Sequence, residues 1–148
     1  MREALLFIHI VLFMFSFAFT AGSSILGGRL AGGRDAKTIH AFFSMAHPMA
    51  IVGGVGWILT AAIGGALANI EGLDMRAPWL LGSYAVFAVL ILVGFGMHSP
   101  WQARVIAASA APGPELEALL QSPIHRLASV VSAASILTLI YLMTARPG

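Results

Sequence analysis

From His40 to Ala68 the chain carries no Lys, Arg, Asp or Glu, and the run AHPMAIVGGVGWILTAAIGGALA within it reads as a membrane-crossing segment. Hydrocarbon offers no partner to backbone N–H and C=O groups, so a segment of this kind must pair them internally as a helix. About 20 mostly apolar residues suffice to cross. Ala4–Ala21, Ala77–Met97 and Leu127–Thr144 qualify or nearly qualify beside it. With 59% hydrophobic and 9% charged residues, too little polar surface remains to cover a water-soluble domain. The expected fold is all-α: a polytopic membrane protein, a single four-transmembrane-helix bundle over residues 1–148, with short interfacial helices in the loops. Its spans are expected at about 4–24, 40–68, 77–98 and 124–145.

The second span has two close-packing faces. Residues 40, 47, 54, 61 and 68 read His, His, Gly, Ala, Ala, which sets two imidazoles above a groove of small side chains. Gly56, Thr60, Gly64 and Ala68 form a second ridge at four-residue spacing, so this helix belongs at the bundle centre. Pro48 allows two readings. Either one kinked helix runs from about residue 37, or a short interfacial helix Ala36–Ala46 precedes a span that starts at Pro48. On the first span, His9, Ser16 and Ser23, with Thr20 between, make a mildly polar stripe that should face the bundle. Asp35 is placed to cap the helix that follows it, Pro78 to open the third span, and Ser122-Pro123 to open the fourth. Ser99-Pro100 is expected to restart a helix through WQARVIAASAA that lies along the membrane surface, ended by Pro112-Gly113-Pro114.

Cysteine is absent, which excludes disulfides, thiolate metal sites, iron–sulfur clusters and covalently attached haem. No span holds a carboxylate, which argues against a cation pump, and no basic patch points to nucleic acid. The Arg2 start followed by an apolar run carries Glu3 and Phe19 where a cleaved leader would not, so it reads as an uncleaved first span. Arg29, Arg34, Lys37, Arg104 and Arg126 lie in two loops on one side, against Arg2, Arg76 and Arg146 on the other. Basic residues favour the cytoplasm, so both termini are expected in the periplasm of a multi-pass protein of a bacterial inner membrane.

Any metal or haem must then rest on His or Met. His40, His47, His98 and His125 gather at the cytoplasmic end, with His9 toward the other. Neutral imidazole ligates haem iron, copper and zinc, so all five are candidate cofactor ligands, and His47, His98 and His125 the candidate metal set. His47 paired with His98 or His125 is the expected haem b site, with His47 the most sensitive to replacement and His40 the least. The same residues also read as ordinary polar ends of helices, and His9 as a hydrogen-bonded core histidine.

The LxxIH start, the GxxxxxxRL loop, the HPMAIVGGVGWILTAAIGGALA span, WLLGSYAVF with SPWQARV, and the YLMTARPG ending together resemble a family of four-helix bacterial integral membrane proteins of unknown function. In plan the chain is similar, more distantly, to the HemJ type of protoporphyrinogen oxidase and to the copper-resistance D membrane domain. His9, Arg29-Leu30, Pro48 and Arg146-Pro147 match the HemJ pattern. Gly82 and Ser83 stand where it has His and Lys, and Ala128 and Ser129 where it has Asn and Glu. The resemblance therefore implies an architecture able to hold non-covalent haem b for electron transfer or sensing, without protoporphyrinogen oxidation. The alternative is a non-catalytic accessory subunit, in contact with lipid, whose small-residue faces pack against other membrane subunits or a second copy.

Topology is directly testable. Reporter fusions at Gly33 and Gly113 are expected to be cytoplasmic, and a periplasmic signal from either would reverse the map.

Overall fold

A computed structural model of the chain describes residues 1–32 and 35–146. Gly33, Arg34, Pro147 and Gly148 lie outside the described residues, and with them one basic residue of the topology argument and the last residue matched to the HemJ pattern. Four helices are long and apolar enough to cross a membrane: α1 (Arg2–Leu30), α2 (Ala36–Ile70), α3 (Pro78–Ala110) and α4 (Pro114–Ala145). The described residues contain no strand, so the all-α four-helix architecture is as expected. Each helix runs further than the apolar run that announced it.

Local chemistry explains the starts. Asp35 Oδ2 accepts the backbone N–H of Thr38 at 3.1 Å and also its hydroxyl, which closes the first turn of α2. Those bonds, the hydroxyl's first, hold the Asp35 carboxyl below its ordinary value. The cap's contribution is therefore present at neutral pH and is lost as pH falls through that lowered value. Pro78 occupies the first turn of α3, where its missing N–H costs nothing. In α4 a helical turn Pro114–Leu120 precedes the long segment Pro123–Ala145, and Ser122 Oγ accepts the His125 N–H at 3.4 Å between them.

Pro48 sits inside one unbroken α2, so of its two readings the continuous helix holds. The surface helix expected after Ser99-Pro100 does not form. A π turn, Gly94–His98, joins Pro78–Val93 to Ser99–Ala110 as one rod. Packing accounts for the difference: Val105 is fully buried in a cluster with Ile39, Phe43, Leu116 and Leu119, so this segment stands against α2. That burial aligns the rod despite the proline.

Two cores result. Trp57, Phe87, Leu90, Ile136 and Leu139 fill the middle of the bundle, with Phe13 edge-on to Trp57 at 5.2 Å and the indole N–H donating to Thr20 Oγ1 at 3.2 Å. The Ile39 cluster forms the second core at one end. At 1.5 Å per residue α2 is roughly 52 Å long, against a hydrocarbon layer of about 30 Å. One end of the bundle therefore projects from the layer. The opposite boundary is marked by the Arg2–Glu71 ion pair at 2.8 Å and by Arg146 over the Trp79 ring at 5.3 Å. About 20 residues above that boundary, α2, α3 and α4 reach His47, His98 and His125.

Helix α2 is central because both of its small-residue faces are used. The Gly56, Thr60, Gly64 ridge meets α1: a Cβ on Gly56 would collide with Ser16 Oγ, and one on Gly64 would stand 2.9 Å from the His9 ring. The heptad face meets α3, where a Cβ on Gly54 would lie 2.7 Å from Phe95. Gly56→Ala is accordingly expected to destabilise the protein by about 1–3 kcal/mol through overpacking, read as a lower melting temperature in detergent. Gly28→Ala, which meets open space, should leave it unchanged or slightly raised.

Candidate functional site

The helices pair unevenly. Helix α1 packs along α2 and α4 along α3, while α1 and α4 scarcely meet. The cleft between them holds three cavities, stacked from the projecting end to the opposite boundary, of about 1150, 420 and 450 Å³. The second and third fall within the roughly 300–1,000 Å³ of small-molecule sites. Two π turns, Ala18–Gly22 in α1 and Gly94–His98 in α3, contribute Thr20, Ala21, Gly94, Phe95 and His98 to the lining of the middle cavity. Such turns open a helix locally and recur at functional sites.

Of the histidines, His98 and His125 come together, edge to face with centroids 5.1 Å apart. His125 also stacks flat on Trp101 at 3.5 Å, and the indole N–H donates to the Leu119 carbonyl at 3.0 Å, which holds the stack in place. His98 Nε2 lies 3.2 Å from Ser132 Oγ. His47 joins this layer through Gln102, one turn beyond His98, with Nδ1 to Oε1 at 3.3 Å. His40 lies further out, its Nδ1 donating to the Ile106 carbonyl at 3.1 Å beside Ser109 Oγ. His125 Nδ1 is buried without a partner.

This arrangement alters the ranking drawn from spacing. Rings in edge-to-face contact leave no gap for an iron and its macrocycle, so His98 and His125 do not fit as opposite ligands of one haem. His47, placed first on sequence grounds, lines none of the three cavities. Among the described residues no group of three His, Asp or Glu side chains is placed to hold a metal ion, so His47, His98 and His125 are not gathered as a metal set.

His9 stands apart, at the other end, and its chemistry is better defined. Its Nδ1 lies 3.0 Å from the Thr60 carbonyl, which can only accept, so Nδ1 carries the proton and Nε2 keeps its lone pair. The ring rests on Gly64, whose missing side chain leaves room for it. The 450 Å³ cavity that His9 lines is walled mainly by apolar side chains, Met143 among them, with Tyr84, Glu71 and Arg146 also on its lining. Gly65 gives the Tyr84 hydroxyl the same close approach to α2 that Gly64 gives His9. A methionine among aliphatic residues carries no signal in sequence, and Met143 is noticed only through the cavity it shares with His9.

The unpaired nitrogen of His125 yields a measurable expectation. His125→Phe keeps an aromatic ring on Trp101 and removes the buried orphan, so stability should hold or rise by about 1 kcal/mol. Trp101→Ala removes both the stack and the Leu119 bond and should cost about 3 kcal/mol. Chemical or thermal unfolding in detergent separates the two.

Comparison with family models, with curated proteins and with solved structures finds no match for this chain, so its function is argued from its own side chains.

Proposed function

We propose that this protein binds haem b in the cavity beside His9, as a small bacterial inner-membrane protein of electron transfer or sensing. The observation that carries the reading is the tautomer of His9. An iron-ligating histidine characteristically gives its other N–H to a carbonyl, which orients the ring and raises the basicity of the ligating nitrogen. The Thr60 carbonyl fills that role for His9 at 3.0 Å. The donors on the cavity lining suit the group: His9 from α1 would hold the iron, and Met143 from α4 would offer a thioether. The lining is mainly apolar, and of its two charged side chains Glu71 is paired with Arg2 while Arg146 would offer a positive charge to an anionic rim.

Haem b, when bound, supplies reversible one-electron chemistry. The chain's own residues then have separable tasks. Thr60 holds the imidazole, Gly64 lets it close on α2, and Arg146, positioned over Trp79, would pair with the charge the group carries at its rim. On the topology expected from the loop charges, with both termini in the periplasm, the cavity would belong to the periplasmic half of the bundle.

The test is optical. Protein purified with haemin added should show a Soret band with sharpened visible bands on dithionite reduction. His9→Ala should abolish it, His47→Ala and His98→Ala should retain it, and Met143→Leu should retain the Soret band with altered reduced-state bands. Absence of a Soret band from the wild-type protein after haemin addition would overturn the reading and leave the accessory-subunit alternative.

A further inference from the structure

We infer that the largest of the three cavities, at the projecting end of the α1–α4 cleft, is a binding site for an anionic diacyl phospholipid. This inference is independent of His9, which lies at the opposite end. The cavity of about 1150 Å³ is flanked by Arg29 from α1 and Arg126 from α4. Among the described residues neither guanidinium forms an ion pair. Glu117 also lines the cavity and is itself engaged, so among the described residues the lining presents two cations against one carboxylate.

Below this basic mouth the chemistry changes. The mouth and the 420 Å³ cavity share a wall at Ser23, Ser24, Ile25, Gln102 and Ser129, and beneath that wall the lining turns to Phe17, Trp57, Leu90, Phe95, Ile136 and Leu137. A basic, hydroxyl-lined chamber opening onto an apolar one, between two helices that do not close on each other, matches a phosphate, a glycerol and an acyl chain in that order. Depth agrees. Arg126 stands about 20 residues above the Arg146 boundary, the distance at which a headgroup layer is met. Basic pockets between membrane helices on the cytoplasmic side hold anionic headgroups by the same charge complementarity.

The full chain in detergent, titrated with phosphatidylglycerol and separately with phosphatidylcholine of the same acyl chains, tests this by native mass spectrometry. Phosphatidylglycerol adducts should dominate. The double variant Arg29→Gln/Arg126→Gln, at two exposed positions outside both cores, should lower phosphatidylglycerol affinity roughly thirtyfold, two basic contacts' worth. Phosphatidylcholine binding should not change. The control Lys37→Gln/Arg104→Gln removes the same charge away from the cleft and should bind like wild type. Equal retention of the two lipids, or an equal loss in the control, would overturn the site and leave only general attraction to a charged surface.

Discussion

Helix α1 can lie against α2 only because Gly53, Gly56 and Gly64 leave the seam free of side chains, and the rest of the architecture follows from that contact. In lipid, a helix contact gains nothing over an acyl contact from hydrophobicity, so association rests on close packing and on the hydrogen bonds it permits. Here it permits two, from His9 to the Thr60 carbonyl and from the Trp57 indole to Thr20. Both cross between the same two helices. Thr60, fully buried, turns its own hydroxyl to the Gly56 carbonyl and so leaves no polar group for a passing lipid. The ring of His9 is thus held by backbone geometry, and this makes its tautomer a property of the fold.

The opposite face of α2 does different work. Gly54 receives Phe95, and the two histidines above it reach the third helix through Gln102, Ile106 and Ser109. Because α1 and α4 are each satisfied by their own partner, nothing draws them together, and the cleft with its three cavities is what remains. Its upper and lower parts differ in charge and in aromatic content because the helices pass through different layers, polar at the ends and apolar between.

Much of this was legible in the residues. Charge-free runs located the four helices, Asp35 and Pro78 marked where two of them begin and Ser122-Pro123 where the long segment of the fourth does, and seven- and four-residue spacings showed that α2 would be packed on two faces. The continuation of α3 was not legible, since Ser99-Pro100 is written the same way whether a helix starts there or is bridged by a π turn, and only the burial of Val105 decides it. The histidines show the same limit. Spacing assigned His47, His98 and His125 to one end of the bundle, but the direction of each ring depends on which neighbour offers a carbonyl, a hydroxyl or an amide. Small residues announce where helices touch; they carry no record of where two helices stay apart, so neither the cleft nor Met143 could be read in advance.

That uneven pairing also bears on how the chain is made. Segments leave the ribosome in order, and α1 finds its whole partner surface on α2, the next helix to emerge, just as α3 finds most of its own on α4. Each hairpin can therefore be completed inside the bilayer before the following one is synthesised. The two hairpins then join through the Trp57–Phe87 core in the middle of the bundle and through the Ile39–Val105 core at its projecting end, and only at that end does apolar burial regain the driving force it has in water. Biogenesis is in this way divided between two solvents, with packing directing the first stage and hydrophobicity adding to the second.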